Sequence, residues 1–148
     1  MSEPGQPQLD ALQNRLCYQF SDLTLLKQAL THRSAGRHHN ERLEFLGDAV
    51  IGLAAASAFY NRFPDADEGV LSRLRALVVS GHSLAAIAKD RDLSSCLILG
   101  ESERKSGGRH RDSILANTLE ALLGAVALDA GPDTALQVAG DWLRSAVE

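Results

Sequence analysis

Very little in this chain points to a membrane, a disulfide scaffold or a fibre. Cysteine is scarce: Cys17 and Cys96 are the only two, and they show no CxxC or metal-type spacing. With no export signal expected, they read as reduced, buried small hydrophobes. There are four prolines and no proline-rich tract or Gly-X-Y period, so a fibre is excluded. The longest run without a charge, an amide or a histidine is Ala49 to Tyr60, well short of the ~20 residues a bilayer span needs. Met1 to Asp10 has neither a basic stretch nor an apolar one, so no secretory signal is expected. A cytoplasmic protein is the expectation. Positive charge is also in deficit: 15 Lys and Arg face 19 Asp and Glu, for a net charge of −4. Nucleic-acid binders usually have the opposite balance. Any such role here would need a local basic patch or a bound cation.

What remains is an ordinary globular composition. Of the 148 residues, 45% are hydrophobic and 23% charged, which suits one domain with one substantial core. Aromatics are only 5%, β-branched residues are sparse, and Ala and Leu dominate, so strands are disfavoured and an all-α fold is expected. Apolar residues recur at helical spacing from Leu9 to Leu16 and from Leu23 to Leu30, the second run capped by Ser21-Asp22. Gly36 to His39 reads as irregular. A long helix is expected from Asn40 to Phe63, stopped by Pro64. Asp65 to Glu68 opens another through Val78, Ser80-Gly81 breaks it, and Leu84 to Lys89 forms a shorter one. Cys96 to Leu99 reads as extended and Gly100 to Arg111 as a long polar loop. Asp112-Ser113 should cap an apolar helix from Ile114 to about Ala130, and Gly131-Pro132-Asp133 leads into a last helix through Trp142 and Leu143.

The segment Asn40-Glu41-Arg42-Leu43-Glu44-Phe45-Leu46-Gly47-Asp48 carries the first sign of chemistry. At about 100° per residue, Glu41, Glu44 and Asp48 fall within a sector of roughly 60°. Glu44 and Asp48 are one turn apart, about 6 Å along the axis, so their carboxylates can converge on one cation. Glu41, about 10 Å from Asp48, is peripheral. An acidic helix face is ordinarily just solvated. Here Leu43, Phe45, Leu46, Ala49, Val50 and Ile51 make a largely buried helix, and carboxylates in such a setting need a partner.

A second apolar helix places Asn117 and Glu120 three residues apart on one face, among Leu115, Leu119, Leu122 and Leu123. Glu120 could be salt-bridged to Arg42 or Arg73. If instead the two helices pack face to face, Glu44, Asp48, Asn117 and Glu120 form an all-oxygen set. Oxygen ligands without His or Cys favour Mg²⁺ or Mn²⁺ over Zn²⁺ or Cu²⁺. A di-iron bundle would want Glu-x-x-His pairs, which neither helix has.

Asn40 to Asp48 resembles the signature motif of the ribonuclease III family. The likeness continues through Leu30-Thr31-His32-Arg33-Ser34, Phe63-Pro64 with Asp67-Glu68-Gly69, Lys105-Ser106-Gly107-Gly108, Ser113 to Asn117 and Glu120-Ala121-Leu122. It is strongest to the endonuclease domain of the bacterial enzymes. The resemblance implies an all-helical, homodimeric, Mg²⁺-dependent endonuclease that cuts double-stranded RNA to 5′-phosphate and 3′-hydroxyl ends in RNA processing, ribosomal RNA included. Carried over by position, Glu44, Asp48 and Glu120 match its metal-binding catalytic carboxylates, while Glu41 and Glu68 match accessory acidic positions. Phe45 matches an aromatic that inserts into a pocket on the partner subunit.

Two departures stand out. The family usually has Asp where this chain has Asn117, so a neutral amide replaces a charged ligand, with a hard oxygen retained. These enzymes also usually carry a C-terminal double-stranded RNA-binding domain, for which Glu148 leaves no room. The expectation is therefore a single catalytic domain over residues 1–148, as a truncated or stand-alone form.

Weaker features remain open. Lys105, Arg109 and Arg111, with two glycines, suit close approach to phosphates, although a solvated loop explains them equally well. Glu68 could simply cap a helix. His38-His39 reads as a solvated pair, and His32 and Arg33 either touch RNA or hold local structure. Two rival functions are an all-α Mg²⁺-dependent nucleotide pyrophosphohydrolase and a non-catalytic duplex-RNA-binding module with a degenerate site.

Overall fold

The computed structural model describes residues 3–147. The chain forms helices α1 (Gln6–Leu16), α2 (Leu23–Leu30), α3 (Glu41–Arg62), α4 (Glu68–Val78), α5 (Gly81–Asp90), α6 (Glu101–Lys105), α7 (Asp112–Ala130) and α8 (Pro132–Val147). The described residues include no strand; a lone parallel bridge joins Thr31 to Ile98. The all-α expectation therefore holds. The extended piece before Gly100 is real but short, preceded by a 3₁₀ turn at Leu93–Cys96.

The apolar pattern of α7 explains its place at the centre. Nearly every residue from Ile114 to Val126 is buried, Asn117 being the exception, and α2, α3, α5 and α8 all pack around it. A helix apolar on all sides has to be enclosed in this way. By length and composition α3 and α7 could each cross a membrane, which a search for uncharged runs overlooks. In the fold they are each other's main packing partner. Their crossing is tight because glycine faces backbone on both sides. A Cβ on Gly47 would strike the Glu120 carbonyl, and one on Gly124 would strike the Leu43 carbonyl. This close approach sets Glu44 and Asp48 of α3 beside Asn117 and Glu120 of α7.

The helix starts follow capping chemistry. Asp22 accepts from the Thr24 amide, Asp67 from Val70 and Ser80 from Ser83. Asp67 is thus the cap of α4, with Glu68 its first helical residue, so Glu68 is not the capping group. Asp112 does not cap α7. It lies inside the first turn, where its charge suits the helix dipole and pairs with Lys89 at 2.7 Å.

Other expectations are corrected. The Gly100–Arg111 segment is not all loop, since it holds α6 and a 3₁₀ turn at Gly108–His110. Cys96 is buried, but Cys17 is exposed, occupying the left-handed C-cap of α1 at φ 59°. At the far end of α7, Asp129 accepts from the Tyr18 hydroxyl and from the Ser21 and Asp22 amides, each amide at 2.9 Å. Burial works to raise the Asp129 carboxyl, but these bonds outweigh it and hold it below its ordinary range.

Candidate active site

The acids on α3 differ in their surroundings. Glu41 is exposed and paired with Arg33 at 3.2 Å, so one of the repelling charges finds its cation on a neighbouring segment. Glu44 is half-buried. Burial, Glu41 and Asp48 push its carboxyl up, opposed by Arg33. Asp48 is exposed. Asn40 supports the helix entry from below. Its side chain, 4% exposed, donates to the Ala29 carbonyl at 2.9 Å, and its amide donates to Thr31 at 2.9 Å.

Glu120, on α7, is only 8% exposed. The salt-bridge alternative fails, because neither Arg42 nor Arg73 pairs with it, nor does any other cation among the described residues. Burial, a hydrogen bond to Asp48, and the charges of Asp48 and Glu44 push its carboxyl up to about 8. The Glu120 carboxyl therefore tends to keep its proton at neutral pH when no cation is bound. No three His, Cys, Asp or Glu side chains among the described residues stand close enough to hold a metal as they are. The facing helices bring the acids together without closing them into a cage.

Beside this pair opens a polar cleft of about 180 Å³ that includes Glu41, Glu44, Asn117 and His32 in its walls. Asn117 is exposed at its edge. The Ser34 amide donates to His32 Nδ1 at 3.1 Å, so the neutral ring carries its proton on Nε2. Burial lowers the His32 pKa, against an opposing pull from Glu103.

Glu103 is the residue that sequence reasoning missed. It is half-buried in the cleft wall, and its Oε2, shielded from solvent, is ion-paired to Arg111 at 3.3 Å without an aligned hydrogen bond. The available signal lay in Gly108, where a Cβ would collide with the Glu103 side chain. That signal is not visible without the fold.

The remaining expected residues lie elsewhere. Glu68 lines a separate groove with Tyr60 and Arg75. Each of the three cations has a partner within the chain: Lys105, at the end of α6, forms an exposed pair with Glu101 at 3.0 Å, Arg109 donates to the Ser94 carbonyl at 2.8 Å, and Arg111 pairs with Glu103. His38 is exposed, and His39 is half-buried. Phe45, on the helix between Glu44 and Asp48, is 83% exposed.

Residues 22–146 match the family described as Ribonuclease-III-like. The chain is 51% identical over 140 residues to a "Ribonuclease 3" of Psychromonas ingrahamii, covering 95% of this chain and 61% of that relative. The chain thus spans less than two thirds of that curated relative. Among solved structures it is similar to the nuclease domain of ribonuclease III from Campylobacter jejuni, at TM-score 0.90 and 39% identity. That match covers 93% of this chain and 96% of the other, which was described for flexibility in a region involved in dimer formation. It is also similar to Dicer from Pichia stipitis, at TM-score 0.64 and 29% identity, covering 85% of this chain and 54% of that one. With the acidic motif on α3 facing Glu120 across the glycine crossing, and the match running over most of its length, the chain belongs to the ribonuclease III family.

Proposed function

We propose that this domain is an endoribonuclease that hydrolyses phosphodiester bonds of double-stranded RNA with a divalent metal ion, leaving 5′-phosphate and 3′-hydroxyl ends. The observation that carries the reading is Glu120, buried, without a cation, and pushed up by the neighbouring Asp48 and Glu44 carboxylates. Such an arrangement costs stability unless a positive ligand relieves it.

The residues fit Mg²⁺ in donor type and charge. Glu44, Asp48 and Glu120 supply hard carboxylate oxygens and Asn117 an amide oxygen. A bound divalent ion supplies a more acidic water and stabilises negative charge on phosphoryl and leaving oxygens. Glu120, raised towards neutrality and shielded from bulk water, can hold or accept a proton from the attacking water. Glu44 and Asp48 would supply the negative field that holds such an ion, and Asn117 would offer an oxygen without adding charge. With a neutral amide at that position, Mn²⁺ is expected to match or exceed Mg²⁺ at limiting concentration. The test is incubation of purified protein with labelled duplex RNA in Mg²⁺, Mn²⁺ or EDTA. Defined products in both metals and none in EDTA are expected. Duplex binding without cutting would favour the non-catalytic module, and cleavage confined to nucleotides would favour the pyrophosphohydrolase.

The active form is proposed to be a homodimer. Phe45, Leu53 and Tyr60 on α3 and Leu77 on α4 are large apolar groups left at 54% exposure or more. Phe45, Leu53 and Tyr60 fall on one side of α3 at helical spacing, and a twofold axis there would bury both copies at once. An aromatic anchor of this kind is worth about 2 kcal/mol or more per copy. With the anchor lost from both copies, Phe45→Ala should therefore weaken the dimer roughly a thousandfold in sedimentation equilibrium while the helical content stays unchanged. A parent chain that is monomeric at micromolar concentration would remove the dimer, and an undiminished Phe45→Ala dimer would remove only the anchor.

A further inference from the structure

The cleft beside Glu44 shares a wall with a second depression of different charge. Residues Thr31 to Gly36 form that wall: His32 and Arg33 line the acidic cleft, while Thr31, Ala35 and Gly36 line a groove of about 480 Å³ on the other side. Lys27 of α2 and Arg37 and His38 of the α2–α3 connection stand around the groove. All three are exposed, and none forms an ion pair among the described residues. Glu3 is the one acid in its lining, and Thr24, Gln28 and Thr31 complete the polar part.

This contrasts with the glycine-rich loop, whose Lys105, Arg109 and Arg111 already have partners within the chain. The connection is also built rather than slack. Gly36 has φ +153° and ψ −168°, a region essentially reserved for glycine. Gln28 donates to the His39 carbonyl at 3.3 Å, and the Asn40 amide to Thr31 at 2.9 Å. These bonds pin the segment that carries Arg37 and His38 against α2.

From this placement we propose that the Lys27–Arg37–His38 groove binds backbone phosphates of the same RNA duplex, outside the bond being cut. The inference rests on duplex RNA being the substrate and adds where an acidic protein holds it. With a net charge of −4 and an acidic reaction centre, the protein needs cations that are free to meet phosphate, and this groove supplies them one chain segment from the cleft. Phosphate contacts of this kind position a duplex without reading sequence and make binding dependent on salt.

The test compares the full chain with Lys27→Gln/Arg37→Gln and with Arg104→Gln/Lys105→Gln, using fluorescence anisotropy of a labelled RNA duplex in Ca²⁺ across a salt series. Cleavage kinetics in Mg²⁺ accompany it. The groove variant should lower the magnitude of the slope of log affinity against log salt by about 1 per cation removed, roughly 2 in all. It should also bind about tenfold more weakly at low salt, raise KM by a similar factor and leave kcat unchanged. The unchanged kcat shows that the variant is folded and its reaction centre intact. The loop variant should keep a slope closer to that of the parent. A Lys27→Arg/Arg37→Lys exchange should restore binding. Groove variants with the parental slope, or a loop variant with the larger loss, overturn the groove while leaving the substrate reading in place. A parent chain that neither binds nor cuts the duplex overturns both.

Discussion

Glu120→Gln is expected to lower duplex-RNA cleavage by at least about a thousandfold, the upper part of what a proton-transferring carboxylate contributes, while RNA affinity changes little. Glutamine keeps the shape and can still hydrogen-bond to Asp48, but it cannot take a proton from water or add charge to the metal-binding set. Stability should move in the opposite direction. In the metal-free fold the Glu120 carboxyl lies near 8, against 4.5 for the free side chain. The folded state then binds a proton more tightly than the unfolded one. The sign follows: this contribution is complete below about pH 4.5 and is lost as pH rises through about 8. In EDTA the parent should lose roughly 2–4 kcal/mol between those limits, and Glu120→Gln should lose much less. Adding Mg²⁺ at pH 8 should stabilise the parent and barely affect the variant. Denaturant titrations at several pH values, with and without metal, measure this directly. Parental cleavage by Glu120→Gln, or parallel pH profiles for the two proteins, would remove Glu120 from the reaction centre.

The acidic face of α3 was legible because it rests on helical periodicity and on charges set among apolar residues. Both are local properties of nine consecutive residues. Glu120 was legible for the same reason, an acid inside a run that has to be buried. What stayed hidden depends on partners distant in sequence. Glu103 reads as one charge among several in a polar segment, and only the docking of Gly108 against it encloses the side chain. Arg33 neutralising Glu41 required knowing that the α2–α3 connection folds back along α3. Cys17 was expected to be buried by the habit of its residue type, whereas its backbone is a left-handed helix end that faces solvent. Asp112 matches a capping pattern, yet the helix begins one residue earlier than that pattern requires, with Arg111 at the cap position. Boundaries shifted by a residue change the role of a side chain even where the helix itself is correctly expected.

Gly47→Ala should be the most damaging single methyl addition in the chain, although alanine favours helix over glycine by about 1 kcal/mol. The new Cβ would lie on the Glu120 carbonyl oxygen, with its carbonyl carbon and the Gly124 amide also within or at contact limits. All three neighbours are backbone, so no side-chain rotation relieves the clash. The helices must instead separate, and α3 and α7 are each other's largest packing partners. Overpacking a tight core typically costs 1–3 kcal/mol, and a backbone collision at the central crossing belongs at about 3–5 kcal/mol. Gly124→Ala should behave alike, since its Cβ would meet the Leu43 carbonyl. Gly140→Ala provides the contrast: beyond the adjoining residues and backbone of its own helix, no atom lies within 4 Å of the added carbon, so helix propensity should leave α8 as stable or slightly more so. The function follows the same geometry, because the carbonyl that Gly47 touches belongs to the residue whose carboxyl meets Asp48. Any Gly47→Ala protein that still folds should have its two acidic helices pushed apart and should cut duplex RNA poorly even at high Mg²⁺. Urea midpoints for the three variants, with cleavage rates normalised to the folded fraction, test both parts. If Gly47→Ala stays within 1 kcal/mol of the parent and cuts at the parental rate, the α3–α7 crossing is not what assembles the site.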